Sequence, residues 1–190
     1  MHLVYDYLFT AMWVAWLVYW QLAAANVKQA TRIESVLSRA GHLVPLIVAA
    51  LLLWWPWRMN DFLFDTLVPW GLWMFWVGAA ITAGGLLFTV WARVHLGRNW
   101  SGVVTLKREH ELITSGPYRL VRHPVYTGLL LAFAGTALAR DDWRGVVAVV
   151  ITVAALWRKL RLEEKWLTEQ FGEIYTHYRR RVAALIPYLI

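Results

Sequence analysis

The chain has 190 residues, 59% of them hydrophobic, with a mean hydropathy of +0.46, 14 Trp and no Cys. Charged residues at 16% are too sparse for a soluble domain of this length, and the composition is that of a one-domain membrane protein. The lack of Cys excludes disulfides, thiolate metal sites and Cys nucleophiles, and the net charge of +7 comes without the basic, aromatic-interleaved pattern that binds nucleic acid.

In chain order, the start lacks a basic n-region and a small-residue cleavage site, so no cleavable signal peptide is expected. Residues 3–25 form the first apolar run long enough to cross a bilayer, which takes roughly 20 residues; Asp6 and Gln21 are its clear polar interruptions. Residues 41–57 are a second, shorter candidate, with His42 and Pro45 at its expected start, where Pro does least harm. Residues 68–92 are a third, and Gly78, Gly84 and Gly85 would admit a neighbouring helix. The connection 93–123 is long and carries apolar residues among polar ones, so it is expected to be ordered. Residues 125–139 and 145–157 read as a tight helical hairpin turned at Arg140-Asp141-Asp142-Trp143-Arg144. Helical character returns over 163–181, before Pro187.

Five spans follow. Segments 26–40, 93–123 and 158–190 hold 3, 6 and 7 of the basic residues, or 16 of 19, while the other side holds Arg58, Arg140 and Arg144. The positive-inside rule then predicts an all-α polytopic protein, N-terminus outside and C-terminus cytoplasmic. Residues 1–190 form a single membrane domain in this reading, with three spans in 1–92 and a cofactor-binding half in 93–190. Trp54, Trp55, Trp57, Trp70, Trp73 and Trp76 fit interfacial belts or packing. A compact chain without sorting signals suits a bacterial or archaeal inner membrane.

Two polar clusters then fall on the cytoplasmic side. The first is Ser115-Gly116-Pro117-Tyr118-Arg119-Leu120-Val121-Arg122-His123-Pro124-Val125-Tyr126. Pro124 suits the first helical turn, so a helix begins there with its unpaired N–H groups and positive dipole end toward the cluster, a setting that favours a carboxylate or phosphate. Gly116-Pro117 is a turn that can fold the preceding residues back onto that helix end. Capping and headgroup contact by Arg122-His123 is the structural alternative. The second cluster is Arg158, Lys159, Arg161, Glu163 and Glu164, ionisable groups at the inner interface that are costly unless they face a cavity or a partner. Snorkelling explains the cations; it explains the paired glutamates poorly. No P-loop, G-x-G-x-x-G or H-E-x-x-H pattern occurs, and the six His lack metal-ligand spacing, so no metal site is expected. Ser101 and Ser115 have no nucleophile-elbow context.

Residues 110–118 (HELITSGPY), 122–128 (RHPVYTG), Glu163-Glu164 and Phe171-Gly172-Glu173-x-Tyr175-x-x-Tyr178 together resemble the isoprenylcysteine carboxyl methyltransferases and the wider group that includes the phospholipid N-methyltransferases. The resemblance spans roughly residues 95–188. It implies a multispan enzyme that uses S-adenosylmethionine without a Rossmann fold and acts on a lipophilic acceptor, isoprenylcysteine-carboxylate-like or another small hydrophobic acid or thiol, with a phospholipid amine as the alternative. By position it implies cofactor contacts from His110, Glu111, Leu112, Ile113, Tyr118, His123, Pro124, Val125, Tyr126 and Glu163, with Glu164 beside them, and places Arg122, Lys159 and Arg158 at the reacting groups. The family's substrate-linked Arg, four residues before the glutamate, is Lys159 here, which cannot grip a carboxylate bidentately. The family's Pro-Thr-Gly after the basic run is Ala183-Ala184-Leu185. The implied roles suit the cofactor's chemistry. The helix start after His123 fits its carboxylate, Glu163 its ammonium or ribose hydroxyls, and Tyr118 or Tyr126 its sulfonium. Two other readings stay open: an NADPH-dependent reductase of the sterol-reductase type, with Arg122, Arg158 and Arg161 on a 2′-phosphate, and a non-enzymatic membrane component.

Overall fold

The computed structural model describes residues 2–24, 30–54, 62–65, 67, 72–100, 105–107 and 112–188. Its elements are the helices α1 (His2–Ala24), α2 (Val36–Trp54), α3 (Leu72–Leu96), α4 (Pro124–Arg140), α5 (Trp143–Phe171) and α6 (Glu173–Arg181), with strands β1 (Ala30–Ile33) and β2 (Thr105–Lys107). Among the described residues three helices are long and apolar enough to cross a membrane: α1 over Tyr7–Ala24, α2 and α3. Their Leu, Val and Trp side chains, among them Leu17, Leu22, Val44, Leu51, Trp73 and Leu87, lie exposed, which is how helices facing lipid present themselves. Arg58, Trp55, Trp57 and Trp70 lie outside the described residues.

Helix α3 packs on α4 along its length, and α4 and α2 both pack on α5. The α3–α4 seam is set by small residues. A Cβ on Gly85 would lie 2.6 Å from the Gly128 carbonyl oxygen, and one on Gly78 would lie 2.5 Å from that of Gly135. Backbone therefore meets backbone at two levels, the close approach that small-residue interfaces permit in lipid. Gly84 takes no part, since nothing lies within 4 Å of its Cβ position. Buried threonines satisfy themselves on their own helices: Thr82 donates to Gly78 O at 2.9 Å, Thr136 to Ala132 O at 2.7 Å and Thr152 to Ala148 O at 2.8 Å. Helix α1 docks through aromatics, with the Trp13 indole on Thr136 Oγ1 at 3.2 Å, the Trp16 indole on Thr89 Oγ1 at 2.6 Å, and Phe9 edge-on to Phe75.

The α4–α5 hairpin is as tight as the sequence predicts. Asp141 ends α4 in the left-handed region (φ 55°), and Asp142 caps α5 by accepting from Gly145 N at 3.2 Å. Arg140 and Arg144 both bond Asp142 Oδ2, at 3.0 Å from each Nε.

Several features differ from the sequence reading. Helix α2 begins at Val36, not near residue 41, so Pro45 is inside it; residues 36–42 form its first turns, with Ser35 Oγ capping Ser38 N at 3.2 Å. Helix α3 runs on to Leu96. A short antiparallel ribbon, β1 with β2, accompanies the helices. A two-stranded ribbon is marginal alone, and this one is supported by contact with α5. Helix α5 runs 29 residues without interruption to Phe171 and breaks at Gly172, whose φ of 55° and ψ of −124° an L-residue rarely adopts.

Candidate functional site

The polar clusters of the sequence meet at the end of the bundle where α4 begins and α5 leaves its apolar run. A 3-10 turn, Gly116–Arg119, folds against it. Gly116 has φ 58°, and a Cβ there would lie 2.7 Å from the His95 ring, so both backbone and space call for glycine. His95 Nε2 and Ser115 Oγ are 2.9 Å apart at the turn's edge. As predicted from Pro124, α4 starts at that residue, with His123 at its cap.

Adjacent residues on a helix point about 100° apart, and the two glutamates use that difference. Glu164 turns inward. Its Oε1 takes Arg122 Nη2 at 2.6 Å and Arg122 Nε at 2.8 Å, and lies 3.4 Å from His123 Nε2; its Oε2 lies 3.5 Å from Arg179 Nε. Burial alone would raise the Glu164 carboxyl, but hydrogen bonds from His123 and Arg122 outweigh it and hold the group down at about 2. Arg122 is spent on the same brace, its Nη1 donating to Arg179 O at 3.1 Å and to Val182 O.

Glu163 turns the other way, with its side chain 35% exposed. Its Oε2 accepts from the Tyr126 hydroxyl and lies 3.7 Å from His123 Nδ1. The His123 and Tyr126 rings stack in parallel (2°) at 5.3 Å, and Lys159 Nζ stands 5.4 Å from the Tyr126 ring centroid. A half-open carboxylate beside two parallel rings is a receptor for a small cation with hydroxyl or ammonium donors.

Backbone from the far end of the chain closes the cluster. Arg122 N donates to Ala183 O at 2.8 Å, His123 N to Ala184 O at 3.0 Å and Thr127 Oγ1 to Leu185 O at 2.7 Å. The Tyr178 hydroxyl donates to Tyr118 O at 2.5 Å. Tyr175 is 1% exposed and its hydroxyl has no partner among the described residues. Burial pushes the hydroxyls of Tyr118, Tyr175 and Tyr178 well above the ordinary tyrosine range, so they stay neutral donors at any physiological pH.

The structure thus brings together Arg122, His123, Pro124, Val125, Tyr126, Lys159, Glu163 and Glu164, with Tyr118 buried beneath them. Leu112 and Ile113 are half-buried at the entry to the 3-10 turn. Arg158 goes elsewhere, its Nη1 on Ser38 O of α2 at 2.8 Å. His110 and Glu111 lie outside the described residues. Sequence reasoning missed the backbone clamp of residues 182–185 and the part of Tyr175 and Tyr178; the only signal was the spacing of those tyrosines on α6.

The described residues thus form an apolar helical bundle, with helices long enough to cross a membrane and a polar, glutamate-paired cluster where two helices leave their apolar runs. Residues 73–174 match the phospholipid methyltransferase family, over more than half of the chain, and the chain belongs to that family. Protein-S-isoprenylcysteine O-methyltransferase B of Arabidopsis thaliana is 31% identical over 104 residues, 52% of this chain and 51% of that protein. Protein-S-isoprenylcysteine O-methyltransferase of Schizosaccharomyces pombe is 33% identical over 102 residues, 50% of this chain and 42% of that protein. The solved structure of the eukaryotic intramembrane Ras methyltransferase ICMT (isoprenylcysteine carboxyl methyltransferase) is similar with a TM-score of 0.55 and 25% identity, over 62% of this chain and 43% of that one. The chain spans about half the length of the curated relatives it matches.

Proposed function

We propose that the protein is an integral membrane methyltransferase that moves a methyl group from S-adenosylmethionine to a lipophilic acceptor. The observation that carries this reading is the pairing of Glu163 with the stacked His123 and Tyr126 rings on the family-matched segment. The residues fit the cofactor. Glu163 would take its ammonium or ribose hydroxyls, the ring faces its sulfonium, and the first turn of α4 its carboxylate. Glu164 and Arg122 act as the brace that orients His123, and Lys159 faces the acceptor. The cofactor supplies an electrophilic methyl group. The chain's own residues hold it in line with the acceptor, and positioning of that kind supplies up to about 7–11 kcal/mol of the barrier.

In this reading α4 and α5 also cross the bilayer, giving five spans, with the basic segments and the site on the cytoplasmic side of a prokaryotic inner membrane. Residues 1–92 form the spans that bury the catalytic half, 93–190. The acceptor's tail enters from the lipid, and the cofactor from the cytoplasm.

Calorimetry on detergent-purified protein tests this. S-adenosylmethionine and S-adenosylhomocysteine are expected to bind at micromolar concentrations, with a loss of tenfold or more in Glu163→Ala and no heat from NADPH. Saturable NADPH binding with no response to either methyl-donor ligand would replace the methyltransferase with a reductase.

A further inference from the structure

The strap of residues 182–185 has a direction as well as a grip. Arg122 N donates to Ala183 O, His123 N to Ala184 O and Thr127 Oγ1 to Leu185 O. Successive strap residues therefore meet the chain first ahead of α4, then at its cap, then within its first turn. Past Leu185 the chain is heading along α4 toward that helix's apolar run. Ile186 and Tyr188 lie on this heading, the first 49% exposed and the second fully exposed. Leu120, on the 3-10 turn side of the same pairing, is 50% exposed.

Where the strap leaves α6 stand three arginines in a row. Arg179 is engaged, its Nε 3.5 Å from Glu164 Oε2 and its carbonyl taking Arg122 Nη1 at 3.1 Å. Arg180 and Arg181 are exposed, and their guanidinium groups have no ion-pair partner among the described residues. Glu173, the one acid of α6, lies at the helix's other end. Solvated arginines would account for the charge and leave Ile186 and Tyr188 facing water. A bilayer surface accounts for both. Cations meet anionic headgroups there, an aromatic sits at headgroup level, and an apolar residue reaches the acyl boundary.

We infer that residues 180–188 dock on anionic lipid headgroups of the surrounding bilayer, and that this docking tightens the strap on Arg122 and His123, so that donor binding responds to lipid charge. The inference rests on the reading of α4 as a span and of the cluster as the methyl-donor site. The occupant is a lipid with a phosphate and no compensating cation, of the phosphatidylglycerol kind. The link to the site is short. The carbonyls that flank the two free arginines, of Arg179 and Val182, both accept from Arg122 Nη1, and Arg122 in turn holds Glu164. Headgroups that hold Arg180 and Arg181 fix the backbone carrying those carbonyls. Less chain entropy is then lost when the cluster closes, and the donor meets a site already formed.

The test places the purified parent chain in nanodiscs of phosphatidylcholine alone and of phosphatidylcholine with about one-third phosphatidylglycerol. S-adenosylhomocysteine is titrated calorimetrically into each. Without ligand, amide hydrogen exchange is followed in peptides covering residues 118–126 and 179–188. In the parent, phosphatidylglycerol is expected to slow exchange in both peptides and to tighten S-adenosylhomocysteine by about fivefold or more, a gain that fades at about 0.5 M salt. Arg180→Gln combined with Arg181→Gln is expected to match the parent in phosphatidylcholine and to gain nothing from phosphatidylglycerol in either readout. Arg180→Lys with Arg181→Lys keeps the charge and should keep the gain. The inference is overturned if the parent exchanges and binds alike in both membranes, as it would if the arginines were merely solvated or served an acidic protein. It is overturned too if the glutamine variant keeps the gain, or is already weakened in phosphatidylcholine, since the arginines then act on the fold and not on lipid. A parent that binds no S-adenosylhomocysteine in either membrane, while phosphatidylglycerol still slows exchange, supports the docking and sinks the methyl-transfer reading instead.

Discussion

Glu164→Gln is expected to lower the apparent Tm by about 10 °C at neutral pH and to abolish binding of S-adenosylmethionine. Both oxygens of Glu164 are committed, to Arg122, His123 and Arg179, and the side chains of Glu164 and Arg122 are 7% and 9% exposed. Removing one partner of a buried pair leaves the other charge uncompensated, at about 3–5 kcal/mol. The titration behaviour gives a figure of the same size. The folded carboxyl is held at about 2 against an ordinary 4.5, a difference worth about 3 kcal/mol. Because the folded value lies below the unfolded one, this stabilisation is complete above pH 4.5 and is lost as pH falls from about 4.5 to about 2. The gap in Tm between the parent and Glu164→Gln should therefore close over that interval. A gap that stays constant down to pH 2 would show that Glu164 contributes by something other than charge.

The second large effect lies in the α3–α4 seam. Gly128→Leu should yield little folded protein, while Gly84→Leu should behave as the parent or better. A Cβ at Gly128 would sit 2.6 Å from Gly85 O and 2.6 Å from Thr89 Cγ2. The first neighbour is backbone and cannot rotate away, so the helices must part. Inserting carbons into a packed core costs about 1–3 kcal/mol even where side chains can yield, and here the separation is transmitted to the start of α4, where the site is built. Gly84 faces outward with open space around it, so a side chain there costs no packing and gains about 1 kcal/mol of helix propensity. Thermal scans and S-adenosylhomocysteine binding of both variants check this. Equal behaviour of the two would mean that the seam is not held by backbone contact.

How much of this was readable beforehand varies by element, and the reasons are physical. The start of α4 was legible because Pro124 lacks an N–H and fits only the first turn. The hairpin was legible from its short polar link between apolar runs. That Arg122, His123 and Tyr126 would meet Lys159 and Glu163 was legible from motif spacing at the start of α4 and along α5, although the opposite facing of Glu163 and Glu164 needed the packing of α5 on α4. The start of α2 was misread because Ser35 and Ser38 look like a connector; Ser35 instead caps the helix that starts at Val36, and Ser38 within it takes a bond from Arg158, which lies 120 residues away in sequence. The ribbon and the clamp of residues 182–185 rest on backbone pairing between distant segments, which leaves no periodic trace. The three glycines of α3 looked alike in sequence, and only the neighbouring helix separates Gly84 from Gly78 and Gly85.

The carbonyls of Val182, Ala183, Ala184 and Leu185 hold Arg122, His123 and Thr127 in place, and this bears on how the protein is made. A ribosome delivers Arg122 and His123 some sixty residues before their partners at 182–185. The helices can enter the bilayer in order as they emerge, but the cluster around Arg122 and His123 is unable to close until residues 182–185 have cleared the exit tunnel and folded back.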